Sequence, residues 1–206
     1  LHMARVNGDI LIRSVLLMLG FSSFLVLAAD FGDVPLAANQ VLIQFVYVTA
    51  YAMDGFAFAA EALVGRAMGA RDRARLRRAA MMTSMWGLVV CVVMASVFAI
   101  WGGALIDLMT TAPDVRLAAR DFLPWIMAGV LIGWASWMLD GIFIGATRTG
   151  DMRNMMAVSF AGYVLLVLLL APLWGNHGLW AALVGFFALR GATLALRYPA
   201  LERSAG

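Results

Sequence analysis

Six apolar runs follow one another along this chain with only short polar breaks between them, at 10–29, 36–64, 79–101, 122–146, 155–173 and 178–196. A helix needs about 20 apolar residues to cross the roughly 30 Å hydrocarbon core of a bilayer, and each run meets or approaches that length. Inside hydrocarbon the backbone must satisfy its own hydrogen bonds, so continuous runs of this kind are helices. Composition agrees: 64% of the 206 residues are hydrophobic, 13% are charged, and mean hydropathy is +0.89, outside the soluble range. The expected fold is an all-α integral membrane protein, a single six-helix transmembrane bundle over 1–206 with no soluble domain. Between the third and fourth runs, charged and apolar residues alternate at helical spacing, punctuated by Pro113 and Pro124. That segment, about 103–121, reads as a short interfacial helix.

Arginine placement sets the direction of the spans, because short cytoplasmic loops collect basic residues. One side receives Arg5, Arg13, the cluster Arg66, Arg71, Arg73, Arg75, Arg77 and Arg78, then Arg148, Arg153, Arg190, Arg197 and Arg203. The other receives Arg116 and Arg120 among several aspartates. Both termini are therefore expected on the cytoplasmic side. The net charge of +3 resides at span ends, where topology accounts for it, so no nucleic-acid partner is expected. The partner is the lipid bilayer, and the basic run before the third span could also meet anionic headgroups. No signal peptide precedes the first span, and a start so close to it suggests a piece of a longer chain.

Enzyme chemistry finds no foothold. No glycine-rich phosphate loop, HExxH, CxxC or nucleophile elbow occurs, His2 and His177 lie outside the spans, and the single cysteine, Cys91, sits in an apolar run as a small buried hydrophobe would. The glycine pairs Gly65/Gly69, Gly129/Gly133 and Gly141/Gly145 read as small-residue ridges for close helix packing.

The informative residues are polar groups within the spans, since an ionisable side chain at the bilayer centre costs at least about 2.5 kcal/mol and normally faces a bundle interior or aqueous cavity. In the second run Gln40, Tyr47, Asp54 and Glu61 recur every seven residues, with Gln44 and Tyr51 between them. Seven residues return to within about 20° of one direction, so the six form one polar stripe on a helix face. Glu61 lies close enough to Arg66 to snorkel or pair with it; Asp54 is about 18 Å along the helix from Arg66 and does not reach. Asp54 is thus either a charge-carrying group or a helix-to-helix hydrogen-bond partner. In the fourth run Asp140 follows Trp134 and Trp137, a carboxylate beside two indoles, which suits an organic cation through charge and cation–π contact. The same tryptophans suit lipid-facing packing equally. Either acid could serve H+ or Na+. The Asp140-Gly141 step also echoes Asp54-Gly55, 86 residues earlier.

The segments LAANQVLIQF, from Leu36 to Phe45, and YAMDGFAFAAEALVGRAMGA, from Tyr51 to Ala70, resemble a helix of the MATE (multidrug and toxic compound extrusion) transporters, in the DinF-like branch. WMLDGIFIGATRTGDMRN, from Trp137 to Asn154, resembles a later helix of the same lobe, and NGDILIRS, from Asn7 to Ser14, resembles the entry to it. The resemblance implies the second six-helix lobe, helices seven to twelve, of a twelve-helix transporter of the plasma (inner) membrane. It implies export of cationic amphipathic compounds in exchange for H+ or Na+, with no other cofactor. Asp140, Asp54 and Glu61 then become the ion- or proton-coupling residues, with Asp140 the position for Na+ where Na+ is the coupling ion. Gln40, Gln44, Tyr47, Tyr51, Trp134 and Trp137 line a cleft whose other wall is an amino-terminal lobe or a second copy. The alternatives are a non-transporting fragment or scaffold and a related lipid-linked precursor flippase lobe. The latter ranks lower because the arginines fall at the cytoplasmic edge.

Overall fold

The computed structural model describes residues 2–205, the side chain of His2 excepted. It contains six long helices: α1 (His2–Ala28), α2 (Asp33–Gly69), α3 (Arg73–Met109), α4 (Pro113–Gly145), α5 (Thr149–Trp174) and α6 (Asn176–Arg203). All six are long and apolar enough to cross a membrane. At 1.5 Å per residue α2 and α3 are each about 55 Å long, so both outrun the hydrocarbon core.

Short connections force neighbours to run antiparallel, which leaves α2, α4 and α6 pointing one way. α2 and α4 form the tightest pair. Gly141 lies against the Ala57 carbonyl and Gly145 against that of Glu61, so closely that a Cβ at either glycine would overlap the α2 backbone. Of the three ridges named from sequence, Gly141/Gly145 brings the two helix backbones closest, and Gly65 of α2 joins the same contact, where a Cβ would lie 3.3 Å from the Gly145 carbonyl oxygen; Gly69 faces open space, and Gly129 and Gly133 meet side chains. The pairing puts Ala57 beside Gly141, so Asp54 and Asp140 lie at nearly the same level, within about one helical turn. Behind this pair α6 carries much of the core through Leu179, Trp180, Leu183, Phe186 and Phe187, all buried. α5 packs on α6 and α1, while α1 touches α2 sparingly.

Two polar clamps fix the ends. Asn39 and Asn176 exchange amide hydrogen bonds of 2.7 and 2.9 Å, and the Trp180 indole N–H donates to the same Asn39 Oδ1 at 2.9 Å. At the arginine-rich end, buried Asp9 accepts from Arg153 at 2.6 Å and from Thr149 at 3.2 Å, tying α1 to α5.

The segment expected as an interfacial helix is instead the last turns of α3, a turn at 110–112, and the first turns of α4. Pro113 occupies the first turn of α4, where its missing N–H costs nothing. Arg116 donates to the Thr110 and Asp107 carbonyls at 2.7 and 2.9 Å, capping the end of α3, and Arg120 binds the Asp107 carboxylate at 2.6 Å. The alternating charges serve each other across a helical hairpin. Pro124, read as punctuation, lies inside α4.

Candidate functional site

Because α1 and α2 are only loosely joined, a groove opens between them, with a volume of about 440 Å³. Leu17, Phe21 and Leu25 of α1 form one wall; Tyr47, Tyr51 and Asp54 of α2 form the other. Arg13, Trp137 and Arg190 line its base. The Phe21 ring sits 5.7 Å from that of Tyr47 and 5.9 Å from that of Phe187, and Trp137 packs on Phe187 at 5.9 Å, so the interior is aromatic.

Asp54 is exposed on the groove wall and makes no ion pair among the described residues. Tyr51, at 73% exposure, stands beside it, and Tyr47 is half-buried. Gln40 and Gln44 are exposed further along α2 and do not line the groove itself. The stripe read from sequence is therefore an open face of α2 rather than a surface packed within the six helices. Glu61 lies apart, half-buried beside Arg66, Gly145 and Thr147, level with the end of α4.

Asp140 is not an open acid. It is buried, and its Oδ2 accepts from the Arg13 guanidinium and, at 2.7 Å, from Arg190. Arg190 is itself 2% exposed and lies over the Phe186 ring at 5.8 Å. Two guanidiniums share one carboxylate, which leaves this triad with one net positive charge, and the Nε–H groups of Arg13 and Arg190 are buried without a partner among the described residues. The sequence reading placed both arginines with the topological set at the edge; they turn inward instead. It also set Na+ at Asp140, where the carboxylate now faces two fixed cations, and among the described residues no three His, Cys, Asp or Glu side chains gather to hold a metal ion. Trp134 is likewise outside the groove: its indole N–H donates to the Ser84 carbonyl at 2.7 Å, joining α4 to α3. Cys91 is buried with its thiol 3.5 Å from the Met53 sulfur.

Six helices long and apolar enough to span a membrane, with an aromatic groove open on one face and a carboxylate on its wall, define a helical integral membrane protein. Residues 10–173 match the MatE family model, and the chain belongs to that family. It is similar to DNA damage-inducible protein F of Escherichia coli K12, 42% identical over 190 residues covering 92% of this chain and 41% of that protein. It is also similar to the probable multidrug resistance protein NorM of Pseudomonas aeruginosa, 32% identical over 181 residues, 81% of this chain and 36% of that one. Among solved structures, the Vibrio cholerae MATE transporter VcmN superposes with a TM-score of 0.88 at 20% identity, covering 97% of this chain and 46% of that chain. The chain thus spans less than half the length of the relatives it matches. It is a multi-pass membrane protein of a transporter family, not an enzyme.

Proposed function

We propose that this chain is the carboxy-terminal six-helix lobe of a secondary antiporter that exports cationic amphipathic compounds in exchange for H+ or Na+. Its arginine-rich end, with both termini, is cytoplasmic, and it sits in the plasma (inner) membrane of the cell. The observation that carries this reading is the groove between α1 and α2: aromatic walls, one carboxylate at Asp54 without an ion-pair partner among the described residues, and an open side. Asp54 offers charge to a cationic substrate while Tyr47, Tyr51 and Trp137 offer ring faces. Gln40 and Gln44 extend the polar face toward the opposite membrane surface. The second wall comes from a partner lobe, or from a second copy of this chain, and alternating access arises from movement of one against the other.

Asp140 enters this scheme as a carboxylate whose charge is held by Arg13 and Arg190, so an ion binding there has to displace a guanidinium first. Glu61, at the level of the helix ends, serves entry or anchoring. A lipid-linked precursor flippase lobe gains one point from Arg13 and Arg190 at the base of the groove, since an anionic headgroup would seek them. Both arginines already bond Asp140, which favours the cation reading.

The test is reconstitution of the two-lobe protein with a fluorescent organic cation under an imposed pH or Na+ gradient. Asp54→Asn should abolish coupled efflux, and this chain without its partner lobe should transport nothing. Full coupled efflux by Asp54→Asn overturns the role of Asp54, and gradient-driven movement of a lipid-linked anion in place of the cation selects the flippase.

A further inference from the structure

The run Arg71-Asp72-Arg73-Ala74-Arg75-Leu76-Arg77-Arg78 opens α3. Asp72 caps the helix by accepting from the Arg75 backbone N–H at 2.9 Å, and Leu76 is fully buried against the bundle. With Leu76 fixed inward, the arginines fan out around the helix. Arg73 meets Glu202 of α6 at 3.1 Å. Arg75 and Arg78, both exposed, make no ion pair among the described residues and stand on the flank facing α2.

Below them lies a groove of about 440 Å³ between α2 and α3, walled by Phe56, Leu63, Met82 and Trp86 and lined almost wholly by carbon. Trp86 is eight residues beyond Arg78, so the groove descends about 12 Å from the charged rim, most of the depth of one hydrocarbon leaflet, roughly 15 Å. The surface around it is apolar and exposed, as a surface that meets lipid is: Met82, Met85, Val89, Val93, Ile100 and Trp101 are all exposed along α3. On α2, Leu63 stands half a turn out of phase with Asp54, nine residues away, so this groove is on the opposite flank from the one between α1 and α2.

A cavity with two unpaired guanidiniums above a dry slot, on a surface that meets acyl chains, matches a phosphate headgroup with its hydrocarbon tail. We propose that Arg75 and Arg78 bind the phosphate of an anionic phospholipid in the leaflet that meets this end, with one acyl chain seated between α2 and α3 against Trp86. The site is independent of the transport reading and holds for either orientation in the membrane.

Trp86 makes the site measurable. The full-length protein carrying this chain is placed in phosphatidylcholine vesicles in which equal fractions of lipid are replaced by dibrominated phosphatidylglycerol or dibrominated phosphatidylcholine. Subtracting the signal of the Trp86→Phe variant isolates quenching of Trp86. Brominated phosphatidylglycerol should quench Trp86 at least twofold more strongly than the brominated choline lipid. Arg75→Gln with Arg78→Gln should bring the two to parity, and Arg5→Gln with Arg66→Gln, which removes the same charge elsewhere, should leave the preference intact. Equal quenching of the unmodified protein by both lipids overturns the proposal, as does a preference that survives loss of Arg75 and Arg78 or falls equally with the distant pair.

Discussion

Replacing Asp140 by Asn should destabilise the protein more than removing one of the arginines it binds. Asp140 Oδ2 holds both Arg13 and Arg190, and neither arginine has another carboxylate among the described residues. Neutralising Asp140 leaves two guanidinium charges facing each other in a buried site. Orphaning a buried charge in this way costs about 3–5 kcal/mol, or a fall in melting temperature of about 10 °C for a lobe of this size. Arg190→Met has a milder arithmetic. It gives up one charge-assisted bond, about 1.5–3 kcal/mol, and the contact with Phe186. It also removes repulsion between the guanidiniums and one buried unpartnered N–H, and leaves Arg13 and Asp140 as a neutral pair. The loss should be less than half that of Asp140→Asn. The double variant should be more stable than Asp140→Asn alone, because the second change removes a charge the first one orphaned. Thermal unfolding of the detergent-purified protein, followed by tryptophan fluorescence, measures all three. An Arg190→Met variant that melts below Asp140→Asn, or a double variant that falls lower still, refutes the charge accounting.

Gly141→Ala and Gly145→Ala each drive a methyl group into the α2 backbone at Ala57 and Glu61, which cannot rotate away, and should each lower stability by about 1–3 kcal/mol; Gly8→Ala, with open space around it, should be neutral or slightly stabilising in the same melt. Asn39→Ala strips partners from both Asn176 and Trp180 and should cost about 1–3 kcal/mol for each group left unpaired, seen as a fall in melting temperature. Cysteines introduced at Tyr51 in the groove and at Gln44 further along the same open face of α2 should react with a membrane-impermeant maleimide when that face is open to water, and the native buried Cys91 should not.

The six spans were legible because hydropathy needs no neighbours: a long apolar run is helical in hydrocarbon whatever it packs against. The hairpin around Thr110 was not. An amphipathic pattern fits an interfacial helix as well as two helix ends, and only the fold brings Arg116 back onto the Thr110 carbonyl. Trp134 and Trp137 were read as a pair beside Asp140; three residues apart, they point to different partners, Ser84 on α3 and Phe187 on α6. Arg13 and Arg190 carried a usable signal. Both fall inside the apolar runs 10–29 and 178–196, and a guanidinium at that depth calls for a carboxylate. Counting arginines by side of the membrane hid it, because the rule sorts them by nearest end and disregards depth. Asp54 stood out for the complementary reason: its distance from Arg66 could be computed along a single helix.

With both acids ionised, the groove and its base hold two guanidiniums and two carboxylates, and the formal charges cancel. Protonating Asp54 leaves one net positive charge in a groove walled by Phe21 and Trp137. A cationic substrate should therefore bind the ionised form and be repelled by the protonated one. Proton and substrate then exclude each other at one carboxylate, which is the condition for exchanging them across a membrane. The two-lobe protein should bind an organic cation more weakly as pH falls, and Asp54→Asn should hold it in the weak state at every pH. Equilibrium binding measured in detergent, without any gradient, separates this from defects in movement. If Asp54→Asn binds the cation as tightly as the unmodified protein and keeps its pH dependence, the competition lies at some other group and Asp54 takes no part in it.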